Sequence, residues 1–188
     1  MRKVNLYLHM SLDGVVTDLD RWMDYSEEML LDAYDYYKTV DTIIMGGQTY
    51  ASMAGYWQAA ERTSESALER DVARRIHAME KLVLTRSNPD LVWANSQRLI
   101  VKEPEAFVQE ITALQQKGGL SISVESGVRT WQSFLQHDLY DELWLTVHPA
   151  IAGSGDRLFE GEGRVARLQL KSSKTYENGA IVVHYRKI

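Results

Sequence analysis

The chain has 188 residues, of which 45% are hydrophobic and 25% are charged, the composition of an ordinary globular protein with a sizeable core. Its formal net charge of −5 argues against a nucleic-acid groove, which would show as an excess of basic residues. Cysteine is absent, which excludes disulfides, thiolate metal sites and a cysteine nucleophile, and no segment approaches the roughly 18 apolar residues of a membrane span. We therefore expect one cytoplasmic domain, residues 1–188, without a nucleic-acid or membrane partner.

The amino-terminal part of the chain alternates between strand and helix patterns. Residues 4–10 predict a first strand, which ends in the turn Ser11-Leu12-Asp13-Gly14. Residues 27–39 place their apolar side chains on one helical face, and residues 42–45 form a short apolar run. That run ends at Gly46-Gly47, where a second helix is expected to begin.

The rest of the chain continues this alternation and closes with a hairpin. Pro104 opens a helix that stops at Gly118-Gly119, because proline is favoured early in a helix and glycine after its end. Residues 168–177 and 180–186 predict two strands joined by an Asn-Gly turn. The other predicted elements are helices at residues 64–79 and up to about residue 137, and strands at residues 81–85, 98–101, 120–124 and 141–148. The pattern predicts a three-layer α/β/α fold with a mixed, mostly parallel sheet and a C-terminal β-hairpin.

Three of the predicted strands end in segments that suit an anion, and the first is Gly46-Gly47. A strand that enters a helix through glycine leaves free backbone N–H groups at the positive end of the helix dipole, where phosphate binds. Gly46, Gly47 and the Thr49 hydroxyl could hold a phosphate there. The alternative is that the two glycines only make a tight turn.

The second segment is Thr85-Arg86-Ser87, at the end of a predicted strand. A guanidinium beside two hydroxyls at the carboxyl edge of a sheet suits the 2′-phosphate of NADP. The alternative is a solvated arginine in a loop.

The third segment follows residues 120–124, where Gly127, Val128, Arg129 and Thr130 could cradle a pyrophosphate with backbone and side-chain donors. Glu125 precedes them and could face a substrate that bears N–H or hydroxyl donors. The alternative for Glu125 is an acidic residue stabilised by the helix dipole.

Two further groups are candidates for substrate contact. Asp13 could bind a polar ligand, or it could cap its own turn with Gly14 supplying a positive φ. Tyr56 and Trp57, with Trp22 and Tyr25, could wall an aromatic pocket, although a buried aromatic cluster is the usual outcome.

Several classes of chemistry lack the residues that they need. The five histidines are scattered without metal-ligand spacing, so we expect no metal and assign them packing or surface roles: His9, His77, His137, His148 and His184. No Gly-x-Ser-x-Gly elbow, Walker loop or His-Glu-x-x-His motif occurs, which leaves hydrolase and phosphotransferase functions unsupported.

Taken in order, these motifs resemble the dihydrofolate reductase-like superfamily, and most closely the reductase domain at the C-terminus of the riboflavin-biosynthesis deaminase-reductase. The resemblance covers nearly the whole chain. It rests on Ser11-Leu12-Asp13-Gly14, Met45-Gly46 with Thr49-Tyr50, Val83-Leu84-Thr85-Arg86, Val124-Glu125-Ser126-Gly127, Asp141-Glu142-Leu143, His148-Pro149, Gly153-Ser154-Gly155 and Leu158-Phe159.

The resemblance implies a stand-alone, NADPH-dependent reductase of a pteridine- or pyrimidine-like heterocycle, similar to 5-amino-6-(5-phosphoribosylamino)uracil reductase, and a homodimer. It implies that Thr49 and the Gly46 turn approach the pyrophosphate and adenosine half of NADPH. Residues 85–87 would then bind the 2′-phosphate and residues 127–130 the diphosphate bridge. Glu125 and Asp13 would contact the substrate, while no residue is identified as a catalytic acid. A reductase-like scaffold without turnover, which binds a small ligand or acts as a dimeric module, is the alternative, and flavin binding is a third.

Overall fold

The structure is a computed structural model of the chain, and it describes residues 1–159 and 165–188. The strands are β1 (Val4–Ser11), β2 (Val40–Gly46), β3 (Glu80–Thr85), β4 (Ser96–Ile100), β5 (Ser121–Val124), β6 (Glu142–His148), β7 (Leu168–Thr175) and β8 (Ile181–Lys187). The helices are α1 (Glu27–Tyr37), α2 (Gly47–Thr63), α3 (Ala67–Ala78), α4 (Pro104–Gln116) and α5 (Val128–Gln136), and a 3-10 turn, Leu19–Arg21, precedes α1.

These strands form one sheet in the order β4-β3-β2-β5-β1-β6-β8-β7. Strands β1 to β6 run parallel, whereas β8 lies antiparallel between β6 and β7. In the turn between the last two strands Gly179 has a φ of +83°, which glycine adopts without strain. The predicted α/β class, the mostly parallel sheet and the C-terminal hairpin are confirmed.

Side chains of β1 alternate between the two faces of the sheet. Leu6 and Leu8 join the buried cluster on the face covered by α4 and α5, together with Phe134 of α5. Tyr7 packs against the cluster of the opposite face, which α1, α2 and α3 cover and which contains Tyr36. The sheet therefore separates two cores. In the part of the chain described, no helix combines the length and apolar composition needed to cross a membrane.

The start of α3 differs from its prediction by three residues. The helix expected from residue 64 begins at Ala67, because Ser66 is its N-cap and its Oγ accepts a hydrogen bond from the backbone N–H of Glu69 at 3.2 Å. A serine at this position satisfies one of the unpaired N–H groups of the first turn, which fixes where the helix starts.

Lys81 of β3 is fully buried beneath α3. Its Nζ donates to the carbonyl oxygens of Ile76 at 3.1 Å and His77 at 2.7 Å, and it lies 4.6 Å from the centre of the Trp93 ring. Carbonyl groups in the last turn of a helix have no partner within the helix, and a cation there also favours the helix dipole. The lysine therefore closes the C-terminal end of α3 from inside the core.

We expect Lys81→Met to lower the free energy of unfolding at pH 7 by about 1–3 kcal/mol, because methionine keeps the apolar stem but removes the two charge-assisted hydrogen bonds to the carbonyl oxygens of Ile76 and His77. Burial lowers the pKa of Lys81 to about 8. The folded protein then binds fewer protons than the unfolded chain between pH 8 and the unfolded pKa, so this lysine makes stability rise with pH in that range. Urea unfolding at several pH values measures both effects. Lys117→Met, at an exposed position after α4, is the control, and an equal loss in both variants would contradict the assignment.

Candidate functional site

A cleft of about 650 Å³ opens at the carboxyl edge of the sheet. It is bordered by the segments that follow β2, β3, β4 and β5, because the carboxyl ends of parallel strands meet at one edge. All predicted cofactor-binding residues except Ser87 line this cleft: Gly46, Gly47, Thr49, Thr85, Arg86, Gly127, Val128, Arg129 and Thr130. The structure thus brings the three predicted anion segments together, while their binding roles stay predictions.

Two helices begin side by side in this cleft. Gly46 is the N-cap of α2 and Gly127 is the N-cap of α5, and neither glycine has a side chain to accept hydrogen bonds from the first turn. The backbone N–H of Gly46 donates to Ser126 Oγ at 2.8 Å, which joins the two junctions. A Cβ on Gly127 would lie 3.8 Å from Thr49 Oγ1. Two helix dipoles and their free N–H groups therefore face the same space.

The second predicted segment forms one border of the cleft. Thr85 Oγ1 accepts a hydrogen bond from the backbone N–H of Ser87 at 3.0 Å, and its hydroxyl lies 3.2 Å from that of Ser87. Arg86, between them, is exposed. Ser87 therefore shapes the turn behind Thr85 and is not itself in the lining.

Lys102 also lines the cleft and was not among the predicted site residues. It follows β4, the outermost parallel strand, and so lies at the same sheet edge as Arg86. The signal that would have found it is topological: a basic residue directly after a parallel strand. Thr17, Gln48, Ser133 and His137 were missed as well.

Glu125 lies outside the cleft lining and faces α1. It is 8% exposed, and both of its carboxyl oxygens accept hydrogen bonds from hydroxyl groups: Tyr37 Oη donates to Oε2 at 2.8 Å and Ser123 Oγ to Oε1 at 2.7 Å. Tyr36 Oη donates in turn to Ser123 Oγ at 2.8 Å. Burial raises the pKa of Glu125 to about 7, although the two hydrogen bonds act in the opposite direction.

Aromatic rings and two histidines continue this face of the sheet towards β6. The Tyr7 ring stacks on Tyr36 with centres 4.4 Å apart. His9 lies 5.6 Å from the ring of Tyr25, and Trp22 packs edge-on against His148 at 5.6 Å. Trp22 and Tyr25, predicted as pocket walls, thus meet two histidines that sequence reasoning assigned to packing. We call Tyr7, His9, Trp22, Tyr25 and His148 the aromatic cluster.

Tyr56 and Trp57 lie on α2, away from the cleft lining. The Tyr56 hydroxyl donates to Glu69 of α3, and the ring is 58% exposed. Trp57 packs partly buried against the core of α1 to α3, with its ring centre 5.0 Å from that of Tyr56. Burial is the main cause of the raised pKa of Tyr25. Stacking of Tyr56 and Trp57 on a substrate stays a prediction.

Asp13 makes the contacts of a turn-capping residue, the alternative weighed above. Its carboxylate accepts from the Ser11 hydroxyl at 2.7 Å and from the backbone N–H groups of Ala152 at 2.9 Å and Gly153 at 3.0 Å. The Arg157 guanidinium lies 3.3 Å from it. Its hydrogen-bonding capacity is thus directed to the loop after β6, and Gly14 beside it has a φ of +83°. Contact between Asp13 and a substrate remains a prediction.

The mixed sheet, its C-terminal hairpin and the cleft at its carboxyl edge define a dihydrofolate reductase-like α/β domain. The model of the RibD C-terminal domain family matches residues 2–182, and the chain belongs to that family. This family is one of reductase-like domains.

The chain is similar to one curated protein over nearly its whole length and to several solved structures in fold. The uncharacterized protein YwjB of Bacillus subtilis (strain 168) is 29% identical over 188 residues, covering 98% of this chain and 97% of that protein. A protein of Shewanella sp. PV-4, described as one of riboflavin biosynthesis, has a TM-score of 0.72 at 18% identity over 99% of both chains. Dihydrofolate reductase of Enterococcus faecalis, solved with NADP(H) and RAB-propyl, has a TM-score of 0.64 at 16% identity over 98% of this chain and 96% of that one. At these identities the solved structures show the fold.

The two adjacent glycines of the first junction provide a matched pair of variants. A Cβ on Gly46 would lie 3.2 Å from Ser126 Oγ and 3.3 Å from Thr130 Oγ1, whereas nothing lies within 4 Å of one on Gly47. We expect Gly46→Ala to lower the melting temperature by several degrees, since overpacking costs roughly 1–3 kcal/mol. Gly47→Ala should leave it unchanged or raise it slightly. Differential scanning fluorimetry measures both melting temperatures. Equal values for the two variants would contradict the close approach of Gly46 to Ser126 and Thr130.

Glu125→Gln is expected to change how stability depends on pH. Because burial raises the pKa of Glu125 to about 7, the folded protein binds more protons at this site than the unfolded chain does between the ordinary pKa and pH 7. The contribution of Glu125 to stability therefore falls as pH rises through that window, by a few kcal/mol in order of magnitude. We expect urea unfolding to show that the free energy of unfolding of the variant increases relative to that of the wild type as the pH is raised from 4.5 to 7.5. Parallel pH curves would show that the carboxyl titrates normally.

Proposed function

We propose that this protein is an NADPH-dependent reductase of a pteridine- or pyrimidine-like heterocycle. The observation that carries the proposal is the convergence of two glycine-capped helix N-termini with Arg86 and Arg129 at one cleft. The family is reductase-like, and the Enterococcus dihydrofolate reductase of similar fold was solved with NADP(H). Both facts support a nicotinamide cofactor for this chain.

The donors in the cleft fit the phosphates of such a cofactor. Backbone N–H groups at two helix N-termini and the hydroxyls of Thr49 and Thr130 suit a diphosphate, and Arg129 adds positive charge. Arg86 and Thr85 suit the 2′-phosphate that distinguishes NADPH from NADH. The volume of about 650 Å³ lies within the usual range of cofactor sites. Bound reduced nicotinamide would supply hydride to an electrophilic carbon.

The residues on the α1 side of the sheet would receive the substrate. Glu125 would orient N–H or hydroxyl groups of the heterocycle, because Tyr37 and Ser123 hold its carboxyl group in place. Tyr7 and Tyr25 would provide apolar ring surface that excludes water. In this arrangement the protein binds and orients both reactants.

The proposal is tested by comparing NADPH and NADH binding in variants of two arginines of the cleft, Arg86 and Arg129. Arg86→Ala should weaken NADPH binding about 10- to 100-fold, the loss of a charge-assisted hydrogen bond, and leave NADH binding unchanged. Arg129→Ala is the matched variant and should weaken both cofactors alike, because both carry the diphosphate. Titration with tryptophan fluorescence as the signal gives the dissociation constants.

The same titrations separate the reductase from its alternative. At 100 times the dissociation constant, a bound nicotinamide should raise the apparent stability of the wild type by about 2.7 kcal/mol. No binding of NADPH or NADH would favour a non-catalytic scaffold of the same fold. An equal effect of Arg86→Ala on both cofactors would show that the 2′-phosphate lies elsewhere.

The homodimer and the cytoplasmic location remain proposals. What supports a dimer is the outer strand of the sheet, β7, on which Leu170 is half exposed. An unpaired edge strand with apolar side chains is a surface that a second copy can cover.

A further inference from the structure

A second cavity, of about 370 Å³, lies between α1 and the strands β6, β7 and β8. Thr39, just before the start of β2, borders it, so this cavity lies towards the amino ends of the strands, whereas the cleft lies at their carboxyl ends. Among the described residues, the two linings have no member in common. We call this space the hairpin cavity.

A row of directly paired residues crosses the sheet along the hairpin cavity. Tyr7 of β1, a member of the aromatic cluster, pairs with Trp144 of β6, and Trp144 pairs with His184 of β8. His184 pairs in turn with Ser172 of the outer strand β7. Directly paired residues point to the same face of a sheet, and these four all line the cavity.

The row is aromatic as far as His184 and then ends in a small side chain. The rings of Trp144 and His184 stack, with centres 3.8 Å apart and planes inclined by 16°. Neighbouring strands are about 4.8 Å apart, so a planar ring above Ser172 would continue the stack on His184. The volume also lies within the usual range of small-molecule sites. The hairpin cavity therefore has room for one more ring in the row.

The aromatic wall of the cavity is held in place by the protein itself. His184 Nε2 donates to Glu142 Oε2 at 2.9 Å, and Lys3 Nζ donates to the other oxygen of that carboxylate at 2.6 Å. On the helix side, Tyr36 stacks on Tyr7 with ring centres 4.4 Å apart. A wall that is already ordered loses little side-chain entropy when a ligand binds.

Two carboxylates of α1 give the cavity its charge. Asp32 and Asp35 both line it, as does Lys174 of β7. Lys174 Nζ lies 2.8 Å from Asp32 and 3.0 Å from Glu28, so two carboxylates already match its charge. Asp35 pairs with Lys38 at 2.8 Å at an exposed position, where an ion pair contributes little. Asp35 can therefore exchange Lys38 for the cation of a ligand.

We propose that the hairpin cavity is a second binding site, and that its ligand is a planar aromatic cation, a positively charged nitrogen heterocycle. The ring of the ligand lies over Ser172 and stacks on His184, while its charge faces Asp35. The faces of Tyr and Trp rings carry negative charge density and favour the same cation. This site goes beyond the proposed function and does not depend on it.

The apolar residue that supports a dimer lies on the other face of the sheet. Leu170 pairs with Tyr185, whose ring packs against the core on the face that α4 and α5 cover. A second copy that covers Leu170 therefore approaches from the side opposite to the hairpin cavity.

Calorimetric titration of the full chain with N-methylquinolinium, and with neutral quinoline as the matched probe, tests the charge preference. We expect N-methylquinolinium to bind and quinoline to bind about 2- to 30-fold more weakly, the range of cation–π energies. Asp35→Asn should remove most of this difference. Asp71→Asn is the control, because Asp71 also pairs with a cation three residues later on an exposed helix, Arg74, and it should bind as the wild type does. Equal affinity of the wild type for the two probes would overturn the inference.

The position of the site is tested by filling it. Ser172→Trp places a ring at the end of the row from an exposed position and should abolish binding of N-methylquinolinium. Gln169→Trp, an exposed position of the same strand outside the cavity lining, should bind it as the wild type does. In the wild type the indole NMR signal of Trp144 should shift during the titration, which locates the ligand even if Ser172→Trp does not fold.

Two further outcomes would overturn the inference. The first is competition between saturating NADPH and N-methylquinolinium, which would place the probe in the cleft. The second is a wild type that binds no probe and is a dimer by light scattering, with Ser172→Trp a monomer, which would show that a second copy covers the cavity. Failure of NADPH to bind would contradict the proposed function alone, because the hairpin cavity takes no part in it.

Discussion

The hydrogen bond from the Gly46 backbone N–H to Ser126 Oγ joins the end of β2 to the start of α5. Strands β2 and β5 are parallel neighbours, so the helices that follow them begin at the same edge of the sheet. Their close approach depends on Gly46, because a side chain there would press on Ser126 and Thr130. Those residues all line the cleft, so the width of the cleft depends on this junction.

The residues that follow β5 face two different environments. Ser126 and Gly127 face the cleft, whereas Glu125 faces α1 and its hydroxyl partners. A carboxylate beside an anion site would ordinarily oppose phosphate binding. Here it lies on the other side of the strand, and burial raises the pKa of Glu125 to about 7, so much of its population is uncharged near neutrality. One strand end therefore presents Ser126 and Gly127 to the cleft and a buried carboxyl group to the opposite side.

The fold could be predicted from the sequence because its signals are local. Glycine and proline mark the ends of elements, and apolar periodicity marks their type, as in the Asn178-Gly179 hairpin. The border of the cleft followed from topology, since parallel strands share one carboxyl edge. The partners of Glu125 and the contact between His9 and His148 depend on strand register and helix rotation. Strand register and helix rotation leave no signal in a local sequence pattern. For this reason the histidines appear scattered in the sequence.

The hydrogen bonds of Asp13 couple the turn after β1 to the loop after β6. The loop after β6 is held by a residue far away in the chain, through the N–H groups of Ala152 and Gly153. A chimera that imports this loop from a relative must import a compatible first turn with it. The two segments should therefore be exchanged as one module, and insertions in either are restricted by the geometry of the other.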